Sequence, residues 1–292
     1  MRIIVSFFLL LTLLLSGCAT LSIPEDNWFH PAPSELSSKK LAAANLPEGY
    51  RLVSEFFSAK DGTRLHGLLV TAPSATVTVL YFGGDSFSIG KAGIEVARRM
   101  AALGVNGFLV DYRGYGLSDG KPTLNKVKSD AVAAYDYVKT LPKLKSQPII
   151  VHGFSMGSFV AASLACKRPV DGLVLESTAT TVKAWAKRQI PWYYKPFVTL
   201  QIAPSLQKEN NIERVQKYSG PLLILAGEAD QTTPQDMSHT LIAKSATPDR
   251  YKALVVVPKA RHGEVLARPA SAPVYHQYRK FIDEAQTFSK KN

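Results

Sequence analysis

The chain is poor in cysteine and in clustered charge. Only two cysteines, Cys18 and Cys166, occur in 292 residues. Neither sits in a metal-ligand spacing, and the pair offers no disulfide framework. Lys and Arg outnumber Asp and Glu by 35 to 23, a formal charge of +12, yet no basic run exceeds two residues. No basic helix is interleaved with aromatics either, which argues against a nucleic-acid partner and for a solvated basic surface beside a phosphate-rich neighbour such as an envelope membrane. The longest mostly apolar run, Ile3 to Leu15, falls short of the ~20 residues of a membrane-spanning helix. With 46% hydrophobic residues, the chain can fill the core of one large α/β domain.

Arg2, the apolar run and the small residues before Cys18 have the shape of a secretory signal. Leu15-Ser16-Gly17-Cys18 resembles the lipobox of bacterial lipoproteins, which implies cleavage after Gly17 and lipid on Cys18. The expectation is a signal peptide over 1–17 and a lipidated tether with an irregular lead-in over 18–49. Ala19, where Asp would signal inner-membrane retention, favours an outer membrane facing the periplasm in a Gram-negative host. Trp28-Phe29-His30-Pro31 is too aromatic for a solvated linker and should fold back on the domain, with insertion into a membrane interface as the competing reading.

The organising stretch is Gly153-Phe154-Ser155-Met156-Gly157. Pro148 to Val151 reads as a buried parallel strand, and Met156 to Lys167 as an amphipathic helix in which Cys166 is a small buried apolar residue. A serine lifted onto such a strand-to-helix bend needs small neighbours, which Gly153 and Gly157 supply. The bend aims Ser155 Oγ outward and turns the Met156 N–H, at the positive end of the helix, towards a developing oxyanion.

Around this elbow, strands and helices alternate. Arg51 to Ala59 and Leu65 to Thr71 form a hairpin; strands follow at Thr76 to Phe82 and Val105 to Val110, and helices at Ile94 to Leu103 and Leu124 to Leu141. Gly83-Gly84 closes a central strand and can leave backbone N–H groups facing a ligand. Asp111 and Arg113, in a loop with three glycines, read as loop-bracing. Further strands fall at Gly172 to Leu175, Pro221 to Leu225 and Tyr251 to Val257. The alternation means an α/β fold, a mostly parallel sheet with helices on both faces.

Tyr81-Phe82-Gly83-Gly84, Asp111-Tyr112-Arg113-Gly114-Tyr115-Gly116, the Ser155 pentapeptide, Gly227-Glu228-Ala229-Asp230 and Arg261-His262-Gly263 together resemble the α/β-hydrolase-fold serine hydrolases, closest to small-cap esterases and lipases. The resemblance implies a hydrolase domain over 50–288 with a cap after the sixth strand, about 178–219. It implies a catalytic triad of Ser155, Asp230 and His262, in the order this fold requires, with Glu228 and Glu176 as alternative acids. His30, His66, His152, His239 and His276 then have ordinary structural explanations. The chain departs from the family at Gly83, where those proteins carry His; by position the second oxyanion donor is the Asp85 N–H, beside Gly84. Trp192 and Tyr193 of the cap are expected to wall an acyl site.

These residues imply a membrane-anchored hydrolase of carboxylic esters or thioesters that works through an acyl-enzyme on a small-molecule or lipid-like substrate, with neither metal nor cofactor. Amidase, peptidase and acyltransferase chemistry use the same triad and stay open. A lipoprotein that binds a partner through the cap and keeps the triad as a relic is the alternative of another class.

Overall fold

The structure is a computed structural model that describes residues 19–290 apart from 32, 33 and 35. The segment 1–17, expected to be a signal peptide, and Cys18 lie outside the described residues. Among the described residues ten strands run in chain order as β1 (Ala19–Ile23), β2 (Arg51–Ser58), β3 (Arg64–Thr71), β4 (Thr78–Phe82), β5 (Asn106–Val110), β6 (Ile149–Phe154), β7 (Gly172–Glu176), β8 (Val198–Ile202), β9 (Leu222–Gly227) and β10 (Lys252–Val257). The α-helices are α1 (Ser38–Ala42), α2 (Ile94–Leu103), α3 (Leu124–Val138), α4 (Met156–Ala165), α5 (Val182–Gln189), α6 (Pro204–Gln207), α7 (Asn211–Lys217), α8 (Gln235–Lys244) and α9 (Pro273–Ser289).

Eight strands make the main sheet, in the order β10-β9-β7-β6-β4-β5-β3-β2. Only β3 runs against the rest, since it pairs antiparallel with both β2 and β5. The inner strands β4, β5, β7 and β9 are buried along their whole length, as a sheet covered on both faces requires. One apolar cluster gathers α3 and α4 with one face, and a second gathers α2 and α9 with the other. From β4 the chain crosses to β5 on one side and later returns to β6 on the other. That reversal opens a crevice at the carboxyl ends of β4 and β6, where ligands of open α/β sheets bind.

Several expectations need correction. The segment Ala19 to Gly49 is not merely a tether: β1 pairs in parallel with β8, Ala19 opposite Val198 through Ile23 opposite Ile202. Trp28 and Phe29 are buried in the main core, so the aromatic patch folds back on the domain as expected, and it is the competing reading, insertion into a membrane interface, that falls. Helix α4 is not amphipathic. All its residues are buried, because β6, β7, α3 and α7 surround it. Cys166 caps that helix on its outer side and is exposed, not buried.

Candidate active site

Ser155 follows β6 at φ 53° and ψ −119°, a backbone conformation that L side chains rarely adopt. Its N–H donates to the Glu176 carbonyl at 2.9 Å. The Ser158 hydroxyl donates to the Ser155 carbonyl at 2.6 Å, so both sides of the strained residue are tied down. A Cβ on Gly157 would stand 2.2 Å from the Phe82 carbonyl oxygen, and one on Gly153 2.3 Å from the Gly157 oxygen. The bend exists because both neighbours lack that atom.

Three loops from the carboxyl edge of the sheet bring Ser155, His262 and Asp230 together. His262 Nε2 lies 3.0 Å from Ser155 Oγ, and its Nδ1 lies 2.9 Å from Asp230 Oδ2. Oδ1 of Asp230 accepts the N–H groups of Thr232 at 2.9 Å and Thr233 at 2.8 Å, and Oδ2, which faces His262, also accepts the Thr233 hydroxyl at 2.8 Å. Burial pushes this carboxyl up, but the His262 hydrogen bond and then the Thr233 N–H outweigh it, leaving Asp230 below the usual carboxylate range. A carboxylate held ionised in this way favours the Nδ1–H tautomer, which leaves Nε2 free to accept from the serine.

Both alternative acids are engaged elsewhere. Glu176 is fully buried with its Oε2 3.0 Å from His152 Nε2, and the Tyr278 hydroxyl lies 3.2 Å from His152 Nδ1. Glu228 accepts the N–H of Lys259 at 2.9 Å. His66 pairs with Asp111 at 2.6 Å, and Arg113 with Asp130 and Asp61, so the loop after β5 is braced as expected.

Opposite the elbow, the loop after β4 lies beside Ser155: a Cβ on Gly84 would stand 3.6 Å from Ser155 Cβ. Its three carbonyls are all taken. Tyr112 Oη donates to Gly83 O at 2.8 Å, the Phe87 N–H to Gly84 O at 3.2 Å, and Tyr115 Oη to Asp85 O at 2.6 Å. In a planar trans peptide the C=O and N–H point opposite ways, so the Gly84 carbonyl turned towards Phe87 leaves the Asp85 N–H facing the other way. No acceptor among the described residues takes the Asp85 or the Met156 N–H. Two backbone donors are thereby available to an anion beside Ser155.

The Pyrococcus furiosus esterase Pf2001 has the same fold, with a TM-score of 0.69 and 19% identity over 89% of this chain and 98% of that one. A family model described as serine aminopeptidase, S33, matches residues 78–215. The α/β hydrolase domain-containing protein WAV2 of Arabidopsis thaliana is 30% identical over 220 residues, 71% of this chain and 71% of that protein. The chain belongs to the α/β-hydrolase family. Lysophosphatidylserine lipase ABHD12 of Macaca fascicularis is 31% identical to this hydrolase over 192 residues, 61% of this chain and 48% of that protein.

A cavity of about 210 Å³ opens over Ser155 and His262. Its walls in this hydrolase come in part from the 178–219 segment, as expected, and in part from a place the sequence did not point to. Asn27, Trp28 and His30 of the lead-in segment form one side, and Phe159, Ala179 and Trp185 form the apolar remainder. Trp28 meets Trp185 edge-on at 5.3 Å and Phe159 at 6.3 Å. His30 is therefore more than a structural residue: it lines the cavity with its Nδ1 3.1 Å from an Asp85 carboxylate oxygen. Trp192 and Tyr193 do not wall the cavity; both are exposed, and Trp185 takes that place. One local signal for the acid was legible, since Asp230-Gln231-Thr232-Thr233 has the form of a turn in which an Asp side chain collects following N–H groups.

Proposed function

We propose that this hydrolase cleaves carboxylic ester or thioester bonds with Ser155 as nucleophile, His262 as base and Asp230 as the acid that orients it. The observation that carries the reading is the unbroken chain of hydrogen-bond distances from Ser155 through His262 to Asp230 at the floor of an apolar cavity. His262 Nε2 takes the hydroxyl proton as Oγ bonds to the substrate carbonyl carbon, and the carbonyl oxygen gains charge facing the Met156 and Asp85 N–H groups. The C–O or C–S bond then breaks as His262 returns the proton to the leaving group. Water, deprotonated by the same nitrogen, releases the acyl group and restores Ser155. The cavity size suits one acyl chain rather than two, in accord with a relative named for a single-chain lipid ester.

The test is labelling with a fluorophosphonate probe, followed by p-nitrophenyl esters of increasing chain length. Wild type should label and Ser155→Ala and His262→Ala should not, with turnover lower by about 10⁴ to 10⁶. A well-folded wild type that neither labels nor turns over any ester would remove the proposal.

The description of the matching family favours one second reading, an aminopeptidase in which the Asp85 carboxylate at the cavity pairs a substrate ammonium. Aminoacyl p-nitroanilides turned over faster than esters would select it. For location, the Leu15-Ser16-Gly17-Cys18 motif supports a lipoprotein acylated on Cys18, at the outer membrane in a Gram-negative host. Incorporation of a palmitate analogue that survives Cys18→Ala would refute this.

A further inference from the structure

Six large apolar side chains are exposed among the described residues, and four of them belong to one region: Trp192 (79% exposed), Tyr193 (49%), Phe197 (42%) and Leu21 (41%). Trp192, Tyr193 and Phe197 lie on one turn that runs into β8, and Leu21 lies on β1, the strand paired with β8. Trp192 and Tyr193 meet edge-on at 5.7 Å, the Phe197 N–H donates to the Tyr194 carbonyl at 2.9 Å, and β8 begins at Val198, paired with the strand that carries Leu21. Beside them, Lys183, Lys187 and Lys195 line a groove of about 420 Å³ whose apolar surface comes from Ile190, Val198 and Leu200.

The lysines are uncompensated. None of the three has an acidic partner among the described residues, whereas the neighbouring Arg188 is paired with Asp236. Across 178–219, seven Lys and Arg residues face two acids, Glu209 and Glu213, a net +5. Glu209 is buried between Lys128 and Arg214 and offers nothing to the groove. Exposed aromatics flanked by unpaired lysines have the chemistry of a surface that sits at a lipid interface, rings at the headgroup level and ammonium groups on phosphates. No helix among the described residues is long and apolar enough to cross a membrane.

We propose that the 191–197 turn, the β1–β8 ribbon and the lysine groove form a docking surface for an anionic lipid bilayer. The surface requires neither a working triad nor lipid on Cys18. Helix α5 carries Lys183 and Lys187 to the groove and Trp185 to the catalytic cavity, so docking sets that cavity one helix away from the headgroup layer.

Three tryptophans are present, and Trp192 is the exposed one, which makes it a native reporter. The full chain is bound to vesicles of phosphatidylcholine, alone or with phosphatidylglycerol, with bromine on the acyl chains. Trp192 emission should be quenched in the phosphatidylglycerol vesicles and much less in the neutral ones, and the quenching should vanish in Trp192→Phe. Replacing Lys183, Lys187 and Lys195 together by Gln should weaken the docking equilibrium roughly a hundredfold. Hydrolysis of a short soluble ester should stay unchanged in both variants. Absence of quenching, or equal quenching in both vesicle types, overturns the proposal. Quenching by a chain that turns over no soluble ester supports docking while removing the esterase reading, so the two fail separately.

Discussion

Ser155 is held where glycine would be comfortable, and its neighbours show why it stays: the Glu176 and Ser158 hydrogen bonds fix both of its peptides. A non-glycine residue in such a region costs about 1–3 kcal/mol. Ser155→Gly should therefore be inactive yet more stable than Ser155→Ala by about 1 kcal/mol, read from urea unfolding. The acid is tested in the same neighbourhood. Asp230→Asn should lower kcat by about 10⁴, because the amide no longer selects the Nδ1–H tautomer. Glu176→Gln should keep ester turnover within about tenfold, since Glu176 faces His152, while the buried hydrogen bond with His152 loses its carboxylate acceptor and stability falls by about 1–3 kcal/mol.

The two carboxylates also fix a pH dependence. Burial raises each of them, and hydrogen bonds from His262 on Asp230 and from His152 on Glu176 bring each below its ordinary value. A carboxyl whose pKa is lower in the folded chain contributes stability in full above its unfolded value, and that stability is lost as pH falls through the folded one. Wild type should thus lose more stability than Asp230→Asn on acidification from about pH 5 to pH 3, as thermal melting would register.

At the scale of elements, the elbow is a contact between β4 and α4 in which only hydrogen fits. Gly157→Ala places a methyl against the Phe82 and Gly83 carbonyls, backbone atoms that no rotamer change can move. Overpacking of this kind costs about 1–3 kcal/mol, and here the upper end is expected. Loss of probe labelling in a variant that is still folded by circular dichroism would locate the damage at Ser155, the proposed nucleophile. The elbow was legible in sequence because strand, glycines and helix are contiguous. What was not legible is non-local. Helix α4 was expected to have a polar face, but α7 returns from the cap to cover it. Tyr112 and Tyr115 look like loop residues in sequence; only the fold reveals that their hydroxyls hold the Gly83 and Asp85 carbonyls opposite Ser155.

At the scale of the whole molecule, the lead-in segment joins the cap to the catalytic domain. Its irregular composition hides this, since a five-residue strand that pairs across about 180 residues leaves no period in the sequence. After β1 the chain passes Glu25, which accepts from the Leu124 N–H and the Ser205 hydroxyl and so ties α3 to α6 of the cap. It then buries Trp28 between Phe159 of the elbow helix and Trp185 of the cap. Trp28 is thus both a cavity wall and the wedge that holds the cap in place. Trp28→Ala should cost about 3–5 kcal/mol as a buried aromatic truncation. Its effect should be uneven: amide exchange in β8 should accelerate strongly, while exchange in β6, inside the main sheet, should change little. Turnover of a short ester should fall mainly through KM, because the cavity loses a wall while Ser155, His262 and Asp230 keep their own supports. Uniform acceleration across β6 and β8 would instead mean that cap and domain open as one unit, and Trp28 would then be an ordinary core residue.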